Sequence, residues 1–306
     1  MKIIPADAVA RASPYRDIVE ALRQGFRENY TTPVRHHHDL SPATILLLMP
    51  AWSERYSGLK TVMFKSDNAA KGLPTIQASY LLFDNETGET LAVMDGTELT
   101  RRRTAAASAL AADYLARKNS RVLAIIGAGA LAPHFARAHL SVRPIREIRI
   151  FSRTAEKSQA LAQALSGDGL ATRVMSDPEQ AVRGADIVSC TTTSTTPIVR
   201  GAWLTAGVHV DLAGAFKPPM RETDGETIAR ARVYVDTREG AMAEAGDLLQ
   251  ARDEGKFRLE DIQGELSDLC RGNVAGRRTP EEITLFKSCG TAIEDLAAAI
   301  MIYRRS

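Results

Sequence analysis

Arg121-Val-Leu-Ala-Ile-Ile-Gly-Ala-Gly-Ala-Leu-Ala-Pro-His134 is the stretch on which the fold turns. The apolar run Val122 to Ile126 has the length of a buried strand, and it stops at Gly127-x-Gly129-x-x-Ala132, where a helix begins. The three small residues have separate duties. Gly127 allows the sharp turn, Gly129 lets the backbone approach a phosphate, and Ala132 permits close helix–strand contact. Free N–H groups at the helix start then face the anion. The pattern predicts a dinucleotide pyrophosphate site, with Gly127, Gly129, Ala130 and Leu131 around it.

Immediately downstream, Glu147 to Phe151 forms a second strand, followed by Ser152-Arg153-Thr154 and a helical pattern through Ala162 and Leu165. A carboxylate at the end of this strand would suit a ribose 2′-hydroxyl, whereas hydroxyls and a guanidinium suit a 2′-phosphate. Ser152, Arg153 and Thr154 therefore favour NADPH as cofactor, with NADH possible. From here strands and helices alternate: 121–126, 130–141, 147–151, 154–165, 171–174, 177–183, 186–190, then strands 208–213 and 232–236. Such alternation implies an α/β fold with a Rossmann-type doubly wound parallel sheet.

Upstream the pattern differs. Ile18, Val19, Leu22 and Phe26 follow helical spacing between Pro14 and Asn29. Ile45–Met49, Leu59–Phe64, Ala78–Phe83 and Thr90–Met94 are β-like, with Asn85-Glu-Thr-Gly88 supplying a turn. A long helix is expected from Glu98 to Arg117, with Thr97 as its cap. The amphipathic helix Ala292 to Tyr303 is expected to return to this region. The result is a discontinuous α+β substrate and dimerisation domain, residues 1–117 and 286–306, around a nucleotide domain of residues 118–285.

With 306 residues, 44% of them hydrophobic, the chain has material for two cores. Thirty-nine basic against 37 acidic residues leave a net charge of +2, and no basic block is interleaved with aromatics, which argues against nucleic acid as a partner. The apolar runs are far shorter than a membrane span and the N-terminus lacks a signal-type apolar core, so cytoplasmic residence is expected. Cys190, Cys270 and Cys289 are too widely spaced for a zinc or redox pair. His36-His37-His38 would alternate faces in an extended chain, which disfavours a metal site.

Three cations stand in unusual settings: Arg35 after a proline-containing loop, Lys60 inside a β run, and Arg103 inside the long helix. Lys60 either faces water or belongs to an anion site. Arg holds a carboxylate through two parallel bonds and Lys acts as a compact point charge, so together they suit a small 2-imino or 2-amino acid.

Gly58-Leu-Lys60, Asn68-x-x-x-Gly72-Leu-Pro-Thr75, Leu99-Thr-x-x-Arg103-Thr-Ala-Ala, Gly127-x-Gly129 and Phe286-Lys-Ser-x-Gly-x-Ala-x-Glu-Asp295 occur in an order that resembles the ornithine cyclodeaminase/mu-crystallin family over nearly the whole chain. The resemblance implies a homodimer joined through the first domains, with the active site between that domain and the nucleotide fold. It makes Arg35, Lys60 and Arg103 the carboxylate-binding set, with Lys60 the catalytic candidate and Arg103 also reaching the cofactor. It further implies cofactor contacts at Thr75, Ala130, Leu131, Thr192, Asp211, Leu212, Ala213 and Ser288.

Two departures from the family pattern matter. Leu131 stands where the family often has Gln, which removes a polar contact. Phe216, in Gly214-Ala-Phe-Lys-Pro-Pro-Met-Arg-Glu222, occupies the position where cyclodeaminases carry the Asp that serves deamination and ring closure. Without that carboxylate the resemblance is nearest to the ketimine reductases, and the expected substrate is a small cyclic imino acid such as Δ1-pyrroline-2-carboxylate or Δ1-piperideine-2-carboxylate. An ornithine cyclodeaminase or alanine-dehydrogenase-like enzyme, and a non-catalytic small-ligand binder, are the alternatives. Glu222 and Asp224 are both candidates to cap the helix that follows them.

Overall fold

Burial along the strands separates two sheets: positions alternate along Tyr56–Lys65, whereas Ile187–Cys190, His209–Leu212 and Thr284–Lys287 are buried throughout. The computed structural model describes residues 1–168 and 170–306, apart from the side chains of Ala69 and Asp168. It divides into one unit of Met1–Thr104 with Gly290–Ser306 and a second of Ala105–Cys289. These limits differ from the 117/118 and 285/286 boundaries expected from the sequence. The helix Gly96–Leu115 runs unbroken across the first limit, and the strand Thr284–Lys287 belongs to the sheet of the second unit.

The first unit is an α+β layer. Its sheet comprises β1 (Lys2–Ile4), β2 (His36–Ser41), β3 (Thr44–Trp52), β4 (Tyr56–Lys65), β5 (Ile76–Asp84) and β6 (Thr90–Asp95), in the order β1-β6-β5-β4-β3-β2. Neighbours from β2 to β6 are antiparallel, and β1, which has no clear sequence signal, pairs in parallel with β6. At the β5–β6 turn the Asp84 carboxylate accepts from the N–H groups of Glu86 and Thr87, and Gly88 takes φ +71°. The helix Tyr15–Arg27 buries Ile18, Val19, Leu22 and Phe26, as its 3.6-residue spacing requires. It packs on the C-terminal helix Ala292–Arg305 so closely that a Cβ on Gly25 would lie 2.6 Å from the Ala297 Cβ.

Thr97, expected to cap the long helix, lies inside it. Asp95 performs the capping, accepting from the Glu98 N–H at 2.7 Å, while the Thr97 hydroxyl accepts from the Ala78 N–H at 3.1 Å. Asp and Thr are both strong N-caps, so composition alone could not rank the two positions.

The second unit holds an all-parallel sheet of β7 (Val122–Ile126), β8 (Glu147–Phe151), β9 (Ala171–Val174), β10 (Ile187–Cys190), β11 (His209–Leu212), β12 (Arg232–Val235), β13 (Gly264–Glu265) and β14 (Thr284–Lys287). The order is β13-β12-β14-β11-β10-β7-β8-β9. The chain moves outward from β7 to β9, then returns to β10 on the other side of β7. Right-handed crossovers place helices on opposite faces after such a reversal, and ligands of such folds bind beyond the carboxyl ends of the strands at the reversal. Ala124, Ile126, Val188, Val210, Leu212 and Leu285 form the apolar centre of this unit. β14 has no counterpart among the expected strands, because Thr284-Leu-Phe-Lys287 is short and ends on a charge. Among the described residues no helix is long and apolar enough to cross a membrane.

Candidate active site

β4 alternates buried and half-buried positions, and the two-residue period puts Lys60 on the buried face with Tyr56, Gly58 and Val62. This resolves the choice left by the sequence: Lys60 is 1% exposed and does not face water. Arg103, on the long helix, is 4% exposed. Buried cations demand carboxylates, and the first turn of the C-terminal helix supplies Glu294 and Asp295, both fully buried. The Lys60 Nζ lies 2.9 and 2.7 Å from the two oxygens of Asp295, and the Arg103 Nε lies 2.8 Å from Asp295 Oδ1. A second Arg103 nitrogen donates to Glu294.

Arg35 joins from the loop before β2, donating to the Gly290 carbonyl at 3.0 Å. Gly290 adopts φ +84°, and a Cβ there would lie 2.9 Å from an Arg103 terminal nitrogen, so glycine alone lets both guanidinium groups lie against this turn. Burial lowers the Lys60 ammonium to about 7, helped by the charge of Arg103 and opposed by Asp295. For Arg103 burial works against the charge, but Asp295 and Glu294 outweigh it and raise its pKa. The sequence reading assigned no role to Glu294 and Asp295, although they close the Phe286–Asp295 motif; a requirement for charge balance around buried Lys60 and Arg103 would have found them.

The dinucleotide residues gather in the second unit. A cleft of about 220 Å³ is lined by Gly127 to Gly129, Ser152 to Thr154, Lys157 and Thr191 to Ser194, with Ile126, Phe151 and Ile198. It opens where the glycine turn, the end of β8 and the end of β10 meet, at the reversal of strand order. Gly127 has φ +108°, and a Cβ there would come within 3.0 Å of the Thr191 carbonyl and the Thr192 methyl. At Gly129 a Cβ would meet nothing within 4 Å, so the backbone faces open space. The helix Ala132–Val142 begins at Leu131 with no side-chain cap, but Pro133 has no N–H and the Ala132 and His134 N–H groups donate to the Gly129 and Leu131 carbonyls at 3.1 and 3.0 Å, so an anion here would meet the glycine turn ahead of the helix. These residues fit the pyrophosphate and ribose of a dinucleotide. No lining residue is a carboxylate. Ser152 donates to the Thr154 carbonyl at 2.8 Å, Arg153 and Lys157 are exposed on the same rim, and Lys157 was absent from the sequence-derived set.

Other expected contacts lie elsewhere. Ala130 and Leu131 are outside the cleft lining, as is half-buried Thr75, whose carbonyl accepts from the Lys65 N–H at 2.8 Å. Asp211 is fully buried, bound by His139 at 3.2 Å and Ser189 at 2.7 Å. Burial resists its charge, but those partners hold it below the ordinary carboxylate range. Leu212 accepts from the Ser288 N–H at 3.0 Å, Ala213 donates to Cys190, and the Ser288 hydroxyl donates to Asp236 at 3.2 Å. The interior of a parallel sheet needs these groups for its own hydrogen bonds, so here Asp211, Leu212, Ala213 and Ser288 are engaged within the sheet and lie outside the cleft lining. Phe216 is half-buried with its N–H on the Gly214 carbonyl. Asp224 caps the helix Gly225–Arg230 through the Thr227 N–H at 2.9 Å; Glu222 does not.

Residues 6–306 match the model of the ornithine cyclodeaminase/mu-crystallin family. A Δ1-pyrroline-2-carboxylate reductase of Colwellia psychrerythraea (strain 34H) is 39% identical over 307 residues, covering 98% of this chain and 97% of its own. The structure of Thermococcus litoralis Δ1-pyrroline-2-carboxylate reductase in complex with NADH and L-proline is similar with TM-score 0.95 and 32% identity, covering 100% of this chain and 97% of that one. An archaeal alanine dehydrogenase dimer with bound NAD gives TM-score 0.94 and 33% identity, over 100% and 95% of the two chains. With its paired lysine and arginine in one unit and its glycine turn in the other, the chain belongs to the ornithine cyclodeaminase/mu-crystallin family.

Proposed function

We propose that this protein reduces a small cyclic ketimine carboxylate, Δ1-pyrroline-2-carboxylate or Δ1-piperideine-2-carboxylate, to L-proline or L-pipecolate with NADPH, and that it works as a homodimer. The observation that carries the reading is the gathering of cations in one place: Lys60 and Arg103 are buried together against Asp295, and Arg35 reaches the same Gly290 turn, a set suited to a small carboxylate ligand. Similarity to reductases of this substrate class supports the chemistry, and Phe216 in place of an aspartate weighs against cyclodeamination.

When bound beside the substrate, a reduced nicotinamide would supply hydride to C2 of the imine. Arg35 and Arg103 hold the substrate carboxylate, and fixing the acid in one orientation lowers the entropic part of the barrier. Lys60, titrating at about 7, holds a proton near neutral pH and gives it to the ring nitrogen, so that the C=N bond becomes C–H and N–H. Ser152, Arg153, Thr154 and Lys157 bind the 2′-phosphate, and the amides near Gly129 bind the pyrophosphate. Exposed Leu40, Met63 and Ile76 on the first sheet support a partner subunit there.

The test is oxidation of NADPH and of NADH by the purified protein with both cyclic imino acids and with pyruvate plus ammonia. Consumption of NADPH with a cyclic substrate is expected. Turnover with pyruvate and ammonia alone would replace this reading with an amino-acid dehydrogenase.

A further inference from the structure

Glu222 belongs neither to the helix it precedes nor to the expected cofactor set, yet it is fully buried between two loops of the second unit. One carboxylate oxygen accepts from the Thr192 N–H at 2.6 Å and the other from the Gly214 N–H at 2.8 Å. Thr192 follows β10 and lines the cleft; Gly214 follows β11. The fit is tight, because a Cβ on Gly214 would collide with the Thr192 carbonyl and with the carboxylate itself. Asp247 fixes the other side, accepting from the Glu222 and Thr223 N–H groups at 2.8 and 2.9 Å.

We propose that Glu222 is a positioning residue for the cofactor site, a buried clasp that ties the loop after β10 to the loop after β11 and so sets the Thr192 edge of the dinucleotide cleft. The functional part rests on the reading that this cleft binds a nicotinamide dinucleotide. Both oxygens accept, so the clasp needs the carboxylate. A proton on either one would put a donor against an N–H and release one loop. Burial and the charge of Asp247 bring Glu222 up to about 7, against the pull of Lys287 and of the two amides. The charged and titratable groups facing it are Lys287 from β14, Asp247 from the helix Gly246–Asp253 and Cys190 from β10, with Asp236 beyond Lys287. The Lys287 Nζ lies 3.6 Å from Asp247.

The sign follows. Between the ordinary carboxylate range and about 7 the native state holds a proton that the unfolded chain has lost, so Glu222 makes folding less favourable as pH rises through that window. The clasp closes in the same direction. Folding therefore favours the protonated form and cofactor positioning the ionised one, and NADPH should bind more tightly above pH 7 than below it.

The experiment compares the full-length parent with Glu222→Gln, measuring NADPH affinity by fluorescence titration on both sides of pH 7 and the hydrogen exchange of the Thr192 and Gly214 amides without nucleotide. The amide variant, which offers one acceptor, is expected to bind NADPH about tenfold more weakly above pH 7. It should also lose the pH dependence near 7 and exchange faster at one of the two amides. Asp247→Asn should lower the inflection of the parent profile and Lys287→Met should raise it. Unchanged affinity, pH profile and exchange in Glu222→Gln would overturn the proposal; if that variant does not fold, an inflection that stays fixed in Asp247→Asn and Lys287→Met does so. Should the parent fail to bind NADPH at any pH, the cofactor reading falls, and amide exchange alone decides whether the clasp exists.

Discussion

Around Lys60 the charges are buried and paired, whereas around Gly129 the groups suited to an anion are backbone amides, hydroxyls and the exposed cations Arg153 and Lys157. In the first region each ion sets the protonation of its neighbours, because low dielectric lets charges a few ångströms apart act strongly. Removing one leaves the others uncompensated. In the second region much of the binding comes from dipoles fixed by backbone geometry, and the side-chain ions are screened by water. Substitutions in the first region should have large, pH-linked effects, and those in the second smaller, more nearly additive ones.

Lys60→Met probes the contrast most severely. Loss of the proposed proton donor should reduce kcat for the cyclic imine by about 10²–10⁴-fold, the usual contribution of general acid catalysis. NADPH affinity, which depends on the other unit, should hardly change. Steady-state kinetics beside a fluorescence titration separates the two quantities, and full turnover in this variant would leave the buried cluster a structural role only.

Asp295→Asn sharpens the electrostatic side. Removing the carboxylate from a buried set costs about 3–5 kcal/mol in general, so the urea midpoint should fall markedly. Asp295 raises the Lys60 pKa, so its neutralisation should move that group below its present value of about 7. On the proposed mechanism imine reduction requires protonated Lys60 and should therefore decline as pH rises through that pKa. The declining limb should shift to lower pH in the variant, and a limb that stays fixed would show that another group controls it.

Gly127→Ala attacks the backbone-built region. The added methyl would sit at φ +108° and 3.0 Å from the Thr191 carbonyl, a strain of about 1–3 kcal/mol. NADPH affinity should fall by about tenfold or more, the factor that 1.4 kcal/mol sets. The pH limb assigned to Lys60 should not move. A calorimetric titration with the pH profile of the surviving activity checks both.

The same contrast explains what the sequence disclosed. The glycine turn is local: a strand, two glycines and a helix start within 121–134 are enough to imply the cleft, and Ser152 to Thr154 fall on its rim. The cluster of Lys60, Arg103 and Asp295 is assembled from β4, the long helix and the C-terminal helix, at sequence separations no local pattern spans. The sequence marked its cations by their unusual settings and the family resemblance grouped them, but the carboxylates that hold them acquire meaning only when burial is known. Asp211 and Ser288, expected as cofactor contacts, meet a related difficulty. Polar residues at the end of a strand look alike in sequence whether they face a ligand or, as here, satisfy His139, Ser189 and Asp236 inside the sheet. β14 was missed because its Lys287 reads as a surface residue until Asp247 is placed beside it.

The smallest effect should come from the exposed rim. Arg153→Ala and Lys157→Ala each remove one cation from a solvated edge, where a single charge–phosphate contact is worth about 1 kcal/mol or less. NADPH affinity should fall by about threefold to fivefold for each and by the product for the pair, since the two sites act through a screened field. NADH affinity should stay within error, and the proposed NADPH preference should shrink as salt is added. Lys157 gives the sharper result. It sits in the first turn of its helix, where the macrodipole disfavours a cation, so its replacement should cost NADPH affinity without costing stability. Equal losses for NADH and NADPH would mean that both side chains serve the shared pyrophosphate rather than the 2′-phosphate.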